Sequence, residues 1–233
     1  MKMKTIISGA VVEQVIYPAA AGKGMRAPRS GNSDPQKQEH NNHAALRTVD
    51  RALNTNFGPN DLFVTLTYDE ANYEHLKTGM PASINEVEQL QYICNAAKHQ
   101  LRLYLKRLRR AAQRENIQLT YIVVTSQVSP DTGEYKRIHH HLVVCGDVKH
   151  ILKPKWGKGD VWMGAVLDEP DHQRLAKYLL NQGDSAGNGK RYTLSRNLRK
   201  PDVRIEDCDD VSVSIPEDAQ VTIRTPTYAR YTR

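Results

Sequence analysis

The sequence has little cysteine and no local way to pair it. Cys94, Cys145 and Cys208 are odd in number and far apart, with neither zinc-ribbon spacing nor a Cys-x-x-Cys redox pair. A disulfide scaffold and a thiolate metal cluster are thereby excluded, and a reducing compartment is expected. Long apolar runs are missing too. No stretch reaches the length of a membrane span, and Lys2 and Lys4 precede neither a sustained apolar core nor a small-residue cleavage pattern. The expectation is a soluble protein of the bacterial cytoplasm with no membrane partner. No Gly-x-x-x-x-Gly-Lys loop occurs, so any helicase activity must come from another protein. No internal repeat is found, which excludes a solenoid.

Positive charge is plentiful. A formal net charge of +7 over 233 residues, with an isoelectric point near 9.3, points to a polyanionic partner, nucleic acid first among them. The charge is uneven: basic residues crowd 98–114 and 190–200, whereas Glu206, Asp207, Asp209, Asp210, Glu217 and Asp218 make an acidic C-terminal stretch. The length suits one catalytic core with embellishments.

Local patterns divide the chain into 1–57, an N-terminal extension; 58–201, the core; and 202–233, an acidic extension. Residues 5–16 are β-prone, and 18–45, rich in Pro, Gly, Asn, Ser, Gln and His, read as an irregular connection. After Gly58-Pro59-Asn60, residues 62–68 make a buried strand central to a sheet. Ser83-Ile84-Asn85-Glu86 has the form of a capping box. A helical stripe of Val87, Leu90, Cys94, Ala97, Leu101, Leu105, Leu108 and Ala112 then predicts a helix over about 84–115. Its basic residues suit phosphate contacts or, equally, a solvated face. Residues 119–125 and 138–145 form two strands around a turn at 130–133. A strand at 160–167 precedes a helix that starts near Glu169-Pro170-Asp171, buries Leu175, Tyr178 and Leu179, and ends near Gly183. The fold class is α+β, a central antiparallel sheet flanked by helices.

Arg137-Ile138-His139-His140-His141-Leu142-Val143-Val144 is the most informative segment. On a strand, successive side chains alternate between faces, so His139 and His141 emerge together while His140 turns away. Two imidazoles on a rigid strand make an incomplete metal site that needs another ligand. A solvated loop or satisfied polar residues on a sheet face is the competing reading of such a run.

Combined with Lys177-Tyr178 on a later helix, the segment resembles the HUH endonucleases, specifically the rolling-circle replication initiators of phages and plasmids. Residues 63–68 match the first motif, His139-His140-His141 the second, and Ala176-Lys177-Tyr178-Leu179-Leu180 the third. Trp156-Gly157-Lys158-Gly159 and residues 192–201 also look like that group, and the resemblance covers roughly 60–201. It implies an HUH/RRM-like nickase fold and a divalent metal, Mg2+ or Mn2+, on His139 and His141. It further implies that Tyr178 attacks a phosphodiester to leave a 5′-phosphotyrosine and a free 3′-hydroxyl. Tyr192 is the reserve nucleophile, and Tyr68 and Tyr121 read as sheet residues.

Two positions depart from the family pattern. Thr125-Ser126-Gln127 stands where relatives place a carboxylate ligand, leaving Gln127 or Glu134 as the third metal ligand. Asn181 stands where a lysine is common one turn after the tyrosine. The implied partner is single-stranded DNA at a replication origin, with a host helicase and polymerase. Lys136, Arg137, Lys177 and Arg196 are the DNA contacts, and Lys190, Arg191 and Arg199 lie near the motifs. Trp156 and Trp162 are candidates for stacking on a base, core packing being the stronger reading for each. Within the same chemistry, a mobilisation relaxase or a single-tyrosine transposase is the alternative; outside it, a noncatalytic DNA-binding module.

Overall fold

The computed structural model describes residues 1–19, 35–128, 135–182, 191–209 and 212–233. In chain order they form β1 (Lys2–Ser8), β2 (Val11–Tyr17), α1 (Pro35–Asn56), β3 (Leu62–Leu66), α2 (Glu70–Leu76) and α3 (Glu86–Arg114). Next come β4 (Tyr121–Val128), β5 (Tyr135–Val144), a single-turn helix at Gly146–Val148, α4 (Lys149–Trp156) and β6 (Val161–Ala165). The chain ends with α5 (Gln173–Gln182), β7 (Tyr192–Leu194), β8 (Asp202–Asp207), β9 (Gln220–Arg224) and β10 (Tyr228–Thr232). Helices and two antiparallel five-stranded sheets give the expected α+β class. Two compact units result: one of residues 1–56, 169–174 and 199–233, the other of 57–168 and 175–198.

In the second unit the strand order is β6-β3-β5-β4-β7, which puts the histidine strand β5 at the centre. β3 alternates strictly: Leu62, Val64 and Leu66 are buried on one face, and Phe63 and Thr65 look to the other. The first face meets α3, whose buried stripe Cys94, Ala97, Leu101, Leu105 and Leu108 repeats at helical spacing, together with Leu152 and Trp156 of α4. The N-cap of α3 is Asn85. Its side chain accepts from the Glu88 amide at 3.0 Å, and the Glu88 carboxylate accepts from the Asn85 amide at 3.0 Å. The capping box thus sits two residues beyond the Ser83–Glu86 reading, and Val87 of the expected stripe is exposed.

Neither α2 nor α4 shows in the sequence patterns. Trp156 fastens α4 to the sheet by donating its indole N–H to the Thr67 carbonyl at 2.8 Å. Gly159, at φ 153°, brings the following turn so close that a Cβ there would stand 2.4 Å from the Thr67 carbonyl oxygen.

In the first unit the strand order is β8-β1-β2-β10-β9, so segments expected as separate extensions at 1–57 and 202–233 share one sheet. Gly9, at φ 60°, makes the two-residue β1–β2 turn. α1 carries Val49, Ala52 and Leu53 into this unit's core. The helix begins at Pro35, inside the stretch expected to be irregular through 45. Its first half is polar without apolar periodicity, and burial is concentrated from Val49 onward. A charged network lies beneath: Arg230 bridges Asp50 at 2.8 Å and Asp171 at 2.6 Å, and Arg51 pairs with Glu13 at 2.6 Å. Burial opposes ionisation of Glu13, but Arg51 outweighs it and holds the carboxyl below its ordinary range. For Asp50 burial wins over Arg230, and its carboxyl is raised.

Candidate functional site

Strand alternation projects His139 and His141 from the face of β5 opposite α3. Their Nε2 atoms stand 3.1 Å apart, with rings crossed at 86°. Each outer nitrogen is engaged: Nδ1 of His139 faces the Arg137 carbonyl at 3.0 Å, and Nδ1 of His141 faces the Thr65 hydroxyl at 3.1 Å. A carbonyl only accepts, so the His139 proton is on Nδ1 and its Nε2 lone pair is bare, the tautomer a metal ligand needs. Two nitrogens bonded to one ion at about 2.1 Å stand roughly 3.0–3.4 Å apart for angles of about 90–109°. The pair therefore fits a shared divalent ion. Among the described residues no group of three His, Cys, Asp or Glu completes a site.

α5 brings Tyr178 to the same face. Ala176, Leu179 and Leu180 are buried, which leaves Tyr178 on the flank of the helix, 40% exposed. Its ring lies 5.6 Å from that of His141 and 5.9 Å from that of Phe63, while Phe63 stacks on His141 at 5.3 Å and 25°. A phenol, two imidazoles and a packed aromatic floor thus meet on one surface.

His140 occupies the other face and is fully buried. One ring nitrogen meets the Tyr68 hydroxyl at 2.9 Å and the other meets the Thr125 hydroxyl at 2.9 Å. Burial, reinforced by the neighbouring His139 and His141, lowers its pKa to about 3, so the ring is neutral at physiological pH. It is a core residue that satisfies two buried hydroxyls.

Gln127 is not brought to the histidine pair, which corrects its reading as a metal ligand. It follows the parity of Thr125 onto the helix-covered face, where its amide donates to the Leu90 carbonyl at 3.1 Å. Ser126 is the residue opposite His139 in the β4–β5 register and shares the histidine face. Glu134, the other candidate ligand, and the 130–133 turn lie outside the described residues, as do Gly183 and Lys190.

Tyr192 pairs with Val124, which pairs with His141, so it projects from the histidine face two strands away. Tyr68 and Tyr121 are buried in the core. Arg137 is engaged within the protein: it bonds Glu70 at 2.9 Å and the Asp69 carbonyl at 3.0 Å, and covers the Tyr73 ring at 4.3 Å. Lys136, Lys177 and Arg196 are exposed, Lys177 immediately beside Tyr178. The basic residues of α3 are on a helix that covers the opposite face of the sheet.

Phe63 and Thr65 escaped the sequence reading of the site. Alternation puts them on one face of β3, but their partnership with His141 depends on the β3–β5 register, in which Thr65 stands directly across from it.

The model of the ORF2-type replication-associated protein family matches residues 61–183. Comparison with curated proteins and with solved structures returns no significant match. The family match spans more than half of the chain and takes in β3, β5 and α5, which together carry the histidine face. The chain belongs to this replication-associated protein family.

Proposed function

We propose that this member of the ORF2-type replication-associated protein family initiates rolling-circle replication of a phage, plasmid or related element by nicking and transferring one DNA strand through Tyr178. The observation that carries the reading is the meeting of Tyr178 with His139 and His141 on one sheet face. His139 and His141 would hold a divalent cation, Mg2+ or Mn2+, which when bound supplies Lewis-acid stabilisation of charge on the phosphate.

The rest of the chemistry belongs to the chain. The Tyr178 oxygen gives up its proton and attacks phosphorus, the bond from phosphorus to the 3′ oxygen breaks, and that oxygen leaves as a hydroxyl after taking a proton. The phosphodiester is exchanged for a phosphotyrosine, so its bond energy is kept for rejoining and neither water nor ATP is consumed. Phe63 packs against both Tyr178 and His141 and limits how far the phenol moves from the imidazoles. The Arg137 carbonyl and the Thr65 hydroxyl hold the two rings in orientation. Lys177 and Arg196 offer charge to the backbone of a single strand at an origin. The free 3′-hydroxyl suits a host polymerase, and a host helicase would separate the strands.

Incubation with a single-stranded origin oligonucleotide and Mn2+ tests this. Denaturing electrophoresis should show a covalent protein–DNA band that is lost in His139→Ala and His141→Ala. A band of undiminished intensity in both variants would remove the histidines from the reaction.

A further inference from the structure

We propose that Trp162 is a seat on which one unpaired base of the cut strand stacks, an inference that rests on the DNA-nicking reading above. Trp162 pairs with Thr65, which pairs with His141, so the indole projects from the histidine face. The two tryptophans of the chain are opposites. Trp156 is 1% exposed and edge-packed against Tyr68, Tyr104 and His140, whereas Trp162 is 59% exposed on β6, an edge strand of its sheet.

An indole this open still has a fixed support. Gly164, two residues along on the same face, would carry a Cβ only 2.7 Å from Cη2 of Trp162 and 3.3 Å from Cζ2 and Cζ3. The indole therefore lies across the backbone in the space a side chain at 164 would fill. Phe63 buttresses it at 6.2 Å and 67°. A supported ring surrenders little conformational freedom when a base stacks on it.

Position identifies the occupant. Phe63 touches Trp162 on one side and His141 and Tyr178 on the other, so the indole is one ring removed from the histidine pair. A strand that lays its phosphate between the histidines and Tyr178 must put the bases flanking that phosphate somewhere, and the supported indole is the apolar surface beside it. Every base has a π-face, so the seat contributes affinity without choosing the sequence.

The test is anisotropy of a labelled 20-mer of oligothymidylate with the full chain in EDTA, where cutting is suppressed and no origin sequence is needed. Trp162→Ala should weaken binding by about ten-fold or more, and Trp162→Phe should restore most of it. Gly164→Ala, which displaces only the far end of the indole, should fall between. An abasic residue at one position should weaken the wild type and leave Trp162→Ala unaffected. Equal affinity of Trp162→Ala and wild type, or no binding by the wild type, would overturn the seat. Loss of the covalent band with the Trp162 dependence intact would instead overturn the nicking reading and leave the seat standing.

Discussion

Replacing Arg230 with methionine should destabilise the first unit by about 3 kcal/mol. The guanidinium is buried, with 3% of its side chain exposed, between Asp50 at 4% and Asp171 at 17%. Arg230 meets Asp50 at 2.8 and 3.1 Å and Asp171 at 2.6 and 3.2 Å, so each carboxylate receives two contacts. Breaking a buried ion pair by removing one partner costs roughly 3–5 kcal/mol, because a charge is left without compensation. Two features pull the value toward the lower end. Asp171 is partly hydrated, and the Asp50 carboxyl is already raised by burial against the pull of Arg230, so it escapes part of the penalty by taking up a proton.

That escape sets the pH dependence. Without Arg230 the folded-state pKa of Asp50 rises further above its unfolded value, so the folded state binds more protons and the variant loses stability as pH increases. The deficit should be larger at pH 8 than at pH 5. Amide exchange along β10 and β2 is the assay, since Trp156 and Trp162 both belong to the second unit and their fluorescence does not report on this one. Arg230→Lys, with charge but no fork, should cost less. A deficit under about 1 kcal/mol at pH 8 would refute the argument, because that is the range of an exposed pair.

Metal titration should separate Gln127 from the histidines: His141→Ala should weaken Mn2+ binding at least ten-fold by calorimetry, and Gln127→Ala should leave it unchanged. An equal loss in Gln127→Ala would return the amide to the site. His140 should make the second unit acid-labile. Its folded pKa is lowered to about 3 from an unfolded value of about 6.5, so its contribution is complete above 6.5 and is lost as pH falls toward 3, roughly 4–5 kcal/mol in all. Stability followed by Trp156 fluorescence in EDTA should fall more steeply over pH 6.5–4 in wild type than in His140→Leu, which cannot titrate. Equal slopes would contradict the burial of a neutral ring.

How much of this was legible depended on distance along the chain. The separation of His139 and His141 from His140 follows from alternation within one strand, and the buried stripe of α3 from helical periodicity. Gln127 shows where local rules stop. Its shared parity with Thr125 is readable, but which face of β4 matches the histidines depends on the pairing of Ser126 with His139. Thr65 and Phe63 were hidden for the same reason. α1 was hidden by composition, its first half lacking an apolar stripe. The sheet shared by β1, β2, β8, β9 and β10 brings together the two chain ends, pairings that neither periodicity nor capping signals encode.

The central claim is that Tyr178 is the residue that becomes joined to DNA. The direct measurement is peptide mapping by mass spectrometry after the protein has reacted with a single-stranded origin oligonucleotide and Mn2+, followed by nuclease trimming. The account predicts a nucleotide adduct on the peptide containing Tyr178 and none in Tyr178→Phe. An adduct on Tyr192, or cleavage that leaves no phosphotyrosine, would contradict it.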